Sequence, residues 1–179
     1  PEANSIDIFY REGVENTNLV GGLKFKYEDS DNNSYTGISH KGVNLPQDVI
    51  KASQFTLTFE GLLEIPTMDY YEFTLENVGI DESLLDVELR ISDEVIIDGS
   101  KVLVNGDGHQ FLSRKEIPLQ PGFHQLQLVY EVNNQTGIVN IPESVVLKWK
   151  NDYFGITDVS PKVLMSELTP SVNIEDELD

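Results

Sequence analysis

Gly122-Phe123-His124-Gln125-Leu126-Gln127-Leu128-Val129-Tyr130 decides the fold class. Its even positions, His124, Leu126, Leu128 and Tyr130, are apolar or aromatic, while Gln125 and Gln127 are amides. A repeat of two places one set on a buried face of a β-strand and the other on a wetted face. On this pattern His124 is expected to share the core face with Leu126, Leu128 and Tyr130.

The same alternation recurs on both sides of this segment. In Gln54 to Leu62, Phe55, Leu57 and Phe59 oppose Thr56, Thr58 and Glu60. Tyr71, Phe73 and Leu75 alternate with Glu72 and Thr74, and Val87, Leu89 and Ile91 with Glu88 and Arg90. Val145, Leu147 and Trp149 close the series, so Trp149 is expected in the core. Val95 to Ile97, Lys101 to Val104 and Glu116 to Leu119 read as shorter strands. Asp98-Gly99, Asn105-Gly106-Asp107-Gly108, Pro121-Gly122 and Asn133-Asn134-Gln135-Thr136-Gly137 supply the turns between them. Helical periodicity is weak, with one short turn expected over Pro46 to Ala52 and another over Asp81 to Leu85. Many short strands at regular spacing predict an all-β fold, an antiparallel β-sandwich with at most short helical turns.

The chain has 179 residues, 39% of them hydrophobic, enough to build a core. Its 31 acidic and 12 basic residues give a formal charge of -19. Such a field repels nucleic-acid phosphates and anionic lipid head groups, so neither nucleic acid nor membrane insertion is expected. It favours hard divalent cations, although an acidic surface also serves solubility alone. No cysteine is present, which removes disulfide and thiolate chemistry and fits a bacterial better than a eukaryotic secreted protein. No apolar run approaches the ~20 residues that span a bilayer. The start Pro1-Glu2-Ala3-Asn4 carries no signal peptide and reads as a piece cut from a longer protein.

The order of landmarks resembles the PA14 domain family. Gly22-Leu23-Lys24-Phe25-Lys26-Tyr27 precedes Tyr35-Thr36-Gly37. Phe55 to Gly61 leads into Ile65-Pro66 and then Tyr71 to Leu75. Ile97-Asp98-Gly99 and Pro121-Gly122-Phe123-His124 follow, and Leu147-Lys148-Trp149, Ile156 and Val163-Leu164 complete the set. The resemblance covers residues 21–168. It leaves 1–20 as an N-terminal extension with an expected edge strand at Ile6 to Tyr10, and 169–179 as an acidic tail or linker.

The resemblance implies a β-sandwich module of extracellular or cell-surface proteins such as bacterial adhesins, flocculins, glycosidases and toxins, many of which bind sugars. Sugar-binding members hold calcium with two adjacent aspartates joined by a cis peptide, and a later loop adds ligands. Calcium then meets sugar hydroxyls directly, as a hard cation accepting up to eight oxygens does. This chain has no Asp-Asp pair. Two registers stand in for it: Asp81-Glu82, within an insertion running from Glu76 to Asp86, or Ser92-Asp93-Glu94. Glutamate is one methylene longer than aspartate and would not place its carboxylate identically. The resemblance puts the later loop at Asn133 to Gly137, which also reads as a plain hairpin loop.

The candidate ligand-binding residues are therefore Asn133, Asn134, Gln135, Gly137 and Asn77, and the candidate metal ligands are Asp81, Glu82, Asp93 and Glu94, with Ca2+ as the ion. His40, His109 and His124 show no metal-ligand spacing, and no nucleophile stands in a recognisable context, so no enzyme activity is expected. Tyr153 and Phe154 sit side by side in a loop, and one of them is expected to be exposed, where it could stack on a sugar ring. Together these features predict a non-catalytic carbohydrate-binding or adhesion module of a larger bacterial surface or secreted protein. Its partners would be glycans or neighbouring domains of the same parent. The rival reading is a structural or protein-interaction spacer that has lost the calcium-dependent sugar site.

Overall fold

A computed structural model describes residues 18–44, 46–79, 84–99, 102–105, 108–112 and 116–168, with side chains described outside 102–112. The expected strand at Ile6 to Tyr10 and the acidic tail lie outside these residues, as do Asp81 and Glu82.

Among the described residues the chain forms two antiparallel sheets. At the centre of the larger, β4 (Gln54–Ile65) pairs along its whole length with β11 (Gly122–Asn133), from Gln54 opposite Asn133 to Ile65 opposite Gly122. On the far side of β11 lie β6 (Leu85–Ile91) and β7 (Glu94–Asp98). The other edge of β4 is shared. β2 (Leu23–Asp29) covers its first half and carries β3 (Ser34–Ser39), while β14 (Leu164–Glu167) takes over at Leu62 and Leu63 and carries β1 (Leu19–Gly21). Leu19 and Val20 thus already belong to the sheet.

The smaller sheet centres on β5 (Asp69–Val78). On one side it pairs with β12 (Ser144–Lys150) and then β13 (Thr157–Asp158). On the other it meets β9 (Gly108–Leu112), backed by β8 (Val102–Asn105), and β10 (Ile117–Leu119). Helical geometry among the described residues is limited to 3-10 turns at Gln47–Val49 and Pro161–Val163 and to Leu84, which lies within the second expected turn.

The core follows from the alternation. Phe55, Leu57, Phe59 and Leu63 of β4 face Tyr71, Phe73 and Leu75 of β5 across the sandwich, and Leu126, Leu128, Tyr130, Val132, Val87, Leu89 and Ile91 extend the layer. Each fully buried Leu or Phe contributes about 1.5–3 kcal/mol. Trp149 is buried as the pattern requires and packs against Tyr71 and Phe73. His124 departs from it. At the first turn of β11 it is only half-buried, with Nε2 2.8 Å from the Gln120 carbonyl and Nδ1 3.0 Å from Ser92 Oγ. The sandwich tapers there, so an inward-phased position at a strand end meets loops instead of the opposite sheet.

Gly61 sits where β2 leaves β4 and β14 arrives. A Cβ there would lie 2.4 Å from the Met165 carbonyl oxygen and 2.6 Å from Leu23 Cδ2. Only the absence of a side chain lets the two edge strands hand over at this point. Ser166 Oγ, buried beside the junction, closes it with a 2.7 Å hydrogen bond to the Gly22 carbonyl. Leu168 N–H also donates to the Asn18 carbonyl at 2.9 Å, extending the pairing of β1 with β14.

Candidate functional site

β11 runs from one end of the sandwich to the other and fixes the position of every loop. The Asn133 end carries the β5–β6 and β11–β12 connections, pinned to each other by Glu143 N–H donating to the Val78 carbonyl at 2.8 Å. The loop after Asn133 is organised by Asn134. Its Oδ1 accepts from Thr136 N–H at 3.1 Å and Thr136 Oγ1 at 2.8 Å, and its Nδ2 donates to the Ile138 carbonyl at 3.0 Å. Asn134 is buried, and these three side-chain hydrogen bonds all lie within the loop. Asn133, Gln135 and Gly137 remain exposed.

Asn77 lies beneath this end, fully buried between the sheets. Its Oδ1 accepts a 2.7 Å hydrogen bond from Tyr130 Oη, and its Nδ2 has no partner among the described residues. Burial pushes the Tyr130 hydroxyl well above its ordinary pKa. Asn133 borders a shallow depression of about 230 Å³ with Glu28, Asp29, Gln54 and Glu131. Asp29 is committed to the β2–β3 turn. It accepts from the backbone of Asp31 and Asn33, from Asn33 Nδ2, and from Tyr27 Oη at 2.7 Å. Burial alone would raise its pKa, but these four donors outweigh burial and hold it below the usual carboxylate value. Tyr27 moves the other way, pushed up to about 12 by burial and by the Asp29 carboxylate.

Ser92-Asp93-Glu94 is elsewhere. Ile91 pairs with Glu94, leaving Ser92 and Asp93 as a two-residue hairpin loop with φ of 53° and 67°. Positive φ at both positions is the twist-matched turn of a β-hairpin. No peptide bond among the described residues is cis. Ser92 N–H bonds the Gln125 carbonyl, so this turn sits near the Gly122 end. Eight residue steps along β11 separate Gln125 from Asn133, about 27 Å. Asp93 and Glu94 therefore do not join Asn77 and the Asn133 loop in one site. Among the described residues no three acidic or histidine side chains converge as metal ligands.

The Gly122 end carries exposed rings, of which only one, from the Tyr153-Phe154 pair, was expected from the sequence. The β4–β5 connection and the loop after β12 adjoin, held by Asp152 N–H donating to Asp69 Oδ2 at 3.0 Å. Asp69 Oδ1 accepts from Tyr70 N–H at 2.7 Å. Asn151 Oδ1 accepts from the backbone of Tyr153 and Phe154 at 2.8 and 2.9 Å. Phe154 turns inward against Tyr71 and Trp149. Tyr153 is left 80% exposed and Tyr70 53%, with Met68 and Ile156 also exposed. Tyr70 was legible as the outward partner of Tyr71 in an alternating strand.

Two antiparallel sheets joined in this order define a PA14-like β-sandwich. More particularly, the chain is similar to the PA14 domain of the MpAFP antifreeze protein, at TM-score 0.55 and 9% identity over 90% of this chain and 96% of that one. It is also similar to an anti-sigma factor domain-containing protein from Clostridium clariflavum, at TM-score 0.58 and 21% identity over 81% of this chain; the match spans only 47% of that protein. A third likeness is to the epithelial adhesin 9 A domain from Candida glabrata, solved with Galb1-3GlcNAc, at TM-score 0.54 and 10% identity, covering 83% and 90% of the two chains. No family model matches the sequence, and no curated protein is similar to it. At these identities the likeness establishes the fold.

Proposed function

We propose that the chain is a non-catalytic carbohydrate-binding or adhesion module of a larger bacterial surface or secreted protein. The observation that carries this reading is the start of β5 and the adjoining loop after β12, which display Tyr70 and Tyr153 beside Asp69 and Asp152. An exposed tyrosine offers a flat apolar ring for the C–H face of a sugar and a hydroxyl for its edge. Neighbouring carboxylates accept hydroxyl hydrogen bonds, and the loops are fixed before any ligand arrives. The adhesin A domain solved with a galactose-containing disaccharide shares the fold and adds support for glycans as a ligand class. The non-catalytic part rests on the sequence, in which no nucleophile stands in a recognisable catalytic context. An acidic chain on a cell surface or in a secreted protein suits adhesion in salt-screened surroundings.

A printed glycan array probed with the isolated chain, then repeated with Tyr153→Ala, tests the reading. Binding to a defined set of glycans, weakened by the substitution, is expected. A blank array overturns it in favour of a spacer or protein-docking module. That second reading is favoured by the wide separation of the Ser92-Asp93 turn from the Asn133 loop. Thermal melting with and without millimolar calcium addresses the ion separately, because a cation bound only by the folded state raises the melting temperature.

A further inference from the structure

The outer face of the larger sheet carries a row of polar side chains set by strand register. Lys24 on β2 stands opposite Glu60 on β4, Glu60 opposite Gln127 on β11, and Gln127 opposite Arg90 on β6. Gln127 Nε2 donates to Glu60 Oε2 at 2.9 Å, joining the two central members. Three interstrand steps make the row about 14 Å long. Two concavities follow it. One of about 330 Å³ adds Gln125, Asp93 and Glu167 to the row, over a floor of Gly61 and Leu62. The other, of about 640 Å³, runs on from Lys24, Glu60 and Gln127 toward Lys26, Thr36 and Thr58. The shared residues make them one trough across the sheet.

The lining narrows the occupant. Glu60, Asp93 and Glu167 repel the phosphates of a nucleic acid. Those carboxylates come from a strand, a turn and another strand, with Lys24 and Arg90 among them, so they do not form an oxygen cage for a cation. Two large apolar side chains stand on the outward phase of this lining, Leu62, which is buried, and Ile38 at the β3 edge, so the contiguous apolar centre of a protein interface is missing. What remains is a set of planar amides and carboxylates, with two cations, spaced along a shallow trough. Such groups donate to and accept from vicinal hydroxyls, and both signs of charge are present to do so.

We propose that this trough is a second carbohydrate subsite, taking a neutral, linear oligosaccharide of more than one sugar ring laid across β2, β4, β11 and β6. The proposal rests on the glycan-binding reading above but uses a different face of the molecule. Gln125 and Gln127 occupy the centre and Lys24 and Arg90 the two ends. Because Lys24, Glu60, Arg90, Gln125 and Gln127 stand on the outward phase of their strands, the subsite is separable from folding.

The test is an amide-resolved NMR titration of the described chain with two probes, a β-linked glucose tetramer and a galactose-terminated tetrasaccharide. Shifts at Glu60, Arg90, Gln125 and Gln127 with at least one probe are expected, reduced at least tenfold in affinity by Gln127→Ala. Gln125→Trp, which fills the trough from its solvent side, should abolish them while the melting temperature stays unchanged. Shifts confined to the Tyr70 and Tyr153 loops overturn the subsite and leave the parent reading standing. No shifts with either probe also overturn the subsite, and the parent reading falls with it only if the glycan array is blank as well.

Discussion

Tyr130 Oη and Asn77 Oδ1 meet at 2.7 Å in the middle of the sandwich, and this hydrogen bond joins the two sheets through fully buried partners. Inside a core an unmade bond is worth more than a made one, because the orphan group has lost water. Tyr130→Phe is expected to cost about 1–3 kcal/mol in urea unfolding, and Asn77→Leu a similar amount. The double variant should cost less than the sum, since it leaves neither orphan and also removes the unpartnered Nδ2. Strictly additive losses would show that the two groups are not coupled.

The turn at Asp29 predicts acid sensitivity. Its folded pKa lies below the ordinary value of about 3.9, so its contribution is complete above that value and is lost as pH falls through the folded pKa. Asp29→Ala removes the acceptor of Tyr27 and of the turn amides, and should lower stability at neutral pH by about 1–3 kcal/mol. It should also flatten the fall in melting temperature below about pH 4. An unchanged acid limb in the variant would count against this assignment.

Tyr27 predicts the alkaline limb, with opposite sign. Its folded pKa is raised from the ordinary 10.0 to about 12, so its contribution is intact below 10 and is lost as pH rises toward 12. Tyr27→Phe should soften alkaline unfolding in that window. Part of the limb should persist, because Tyr130 is also raised by burial. Melting curves between pH 9 and 12 (roughly the span of the shift) report both effects.

Gly61→Ala should be disproportionately harmful for one added methyl. The new Cβ would stand 2.4 Å from the Met165 carbonyl oxygen, a backbone atom that cannot rotate away. A loss of about 1–3 kcal/mol is expected by chemical denaturation. A neutral outcome would mean that β14 slides off β4 at little cost.

Tyr153→Ala and Tyr70→Ala touch nothing in the core. Each is expected to change stability by less than about 0.5 kcal/mol. Each should weaken glycan binding by about tenfold if the rings are the anchors. Parallel melting and glycan titration of the two variants separate a binding loss from a folding loss.

The layers were legible in the sequence because an alternating strand declares its own buried face. Phe55, Leu57 and Phe59 behave as their spacing requires, and so do Tyr71, Phe73 and Leu75. Which end of the sandwich a loop occupies is a different quantity. It depends on counting strand reversals, and four short strands lie between the Ser92-Asp93 turn and β11. Local periodicity says nothing about whether that count is odd or even. Hence the acidic turn and the asparagine loop looked combinable yet lie at opposite ends. Asn134 illustrates a second blind spot. An amide in a loop looks like a ligand until its hydrogen bonds are known, and here the loop itself takes them all. His124 illustrates a third, since a strand's phase persists past the point where the core has ended.

The backbone bond between Asn18 and Leu168 has a mechanical meaning. β1 and β14 run antiparallel with those two residues at the same margin, Leu19 facing Glu167. Tension applied between the two points pulls across their ladder, perpendicular to the strands, where bonds open one after another. A tether attached there would yield first by peeling a three-residue strand, while the long β4–β11 pairing stayed out of the line of force. Load applied at those two residues would therefore open this short pair before it reached the sandwich.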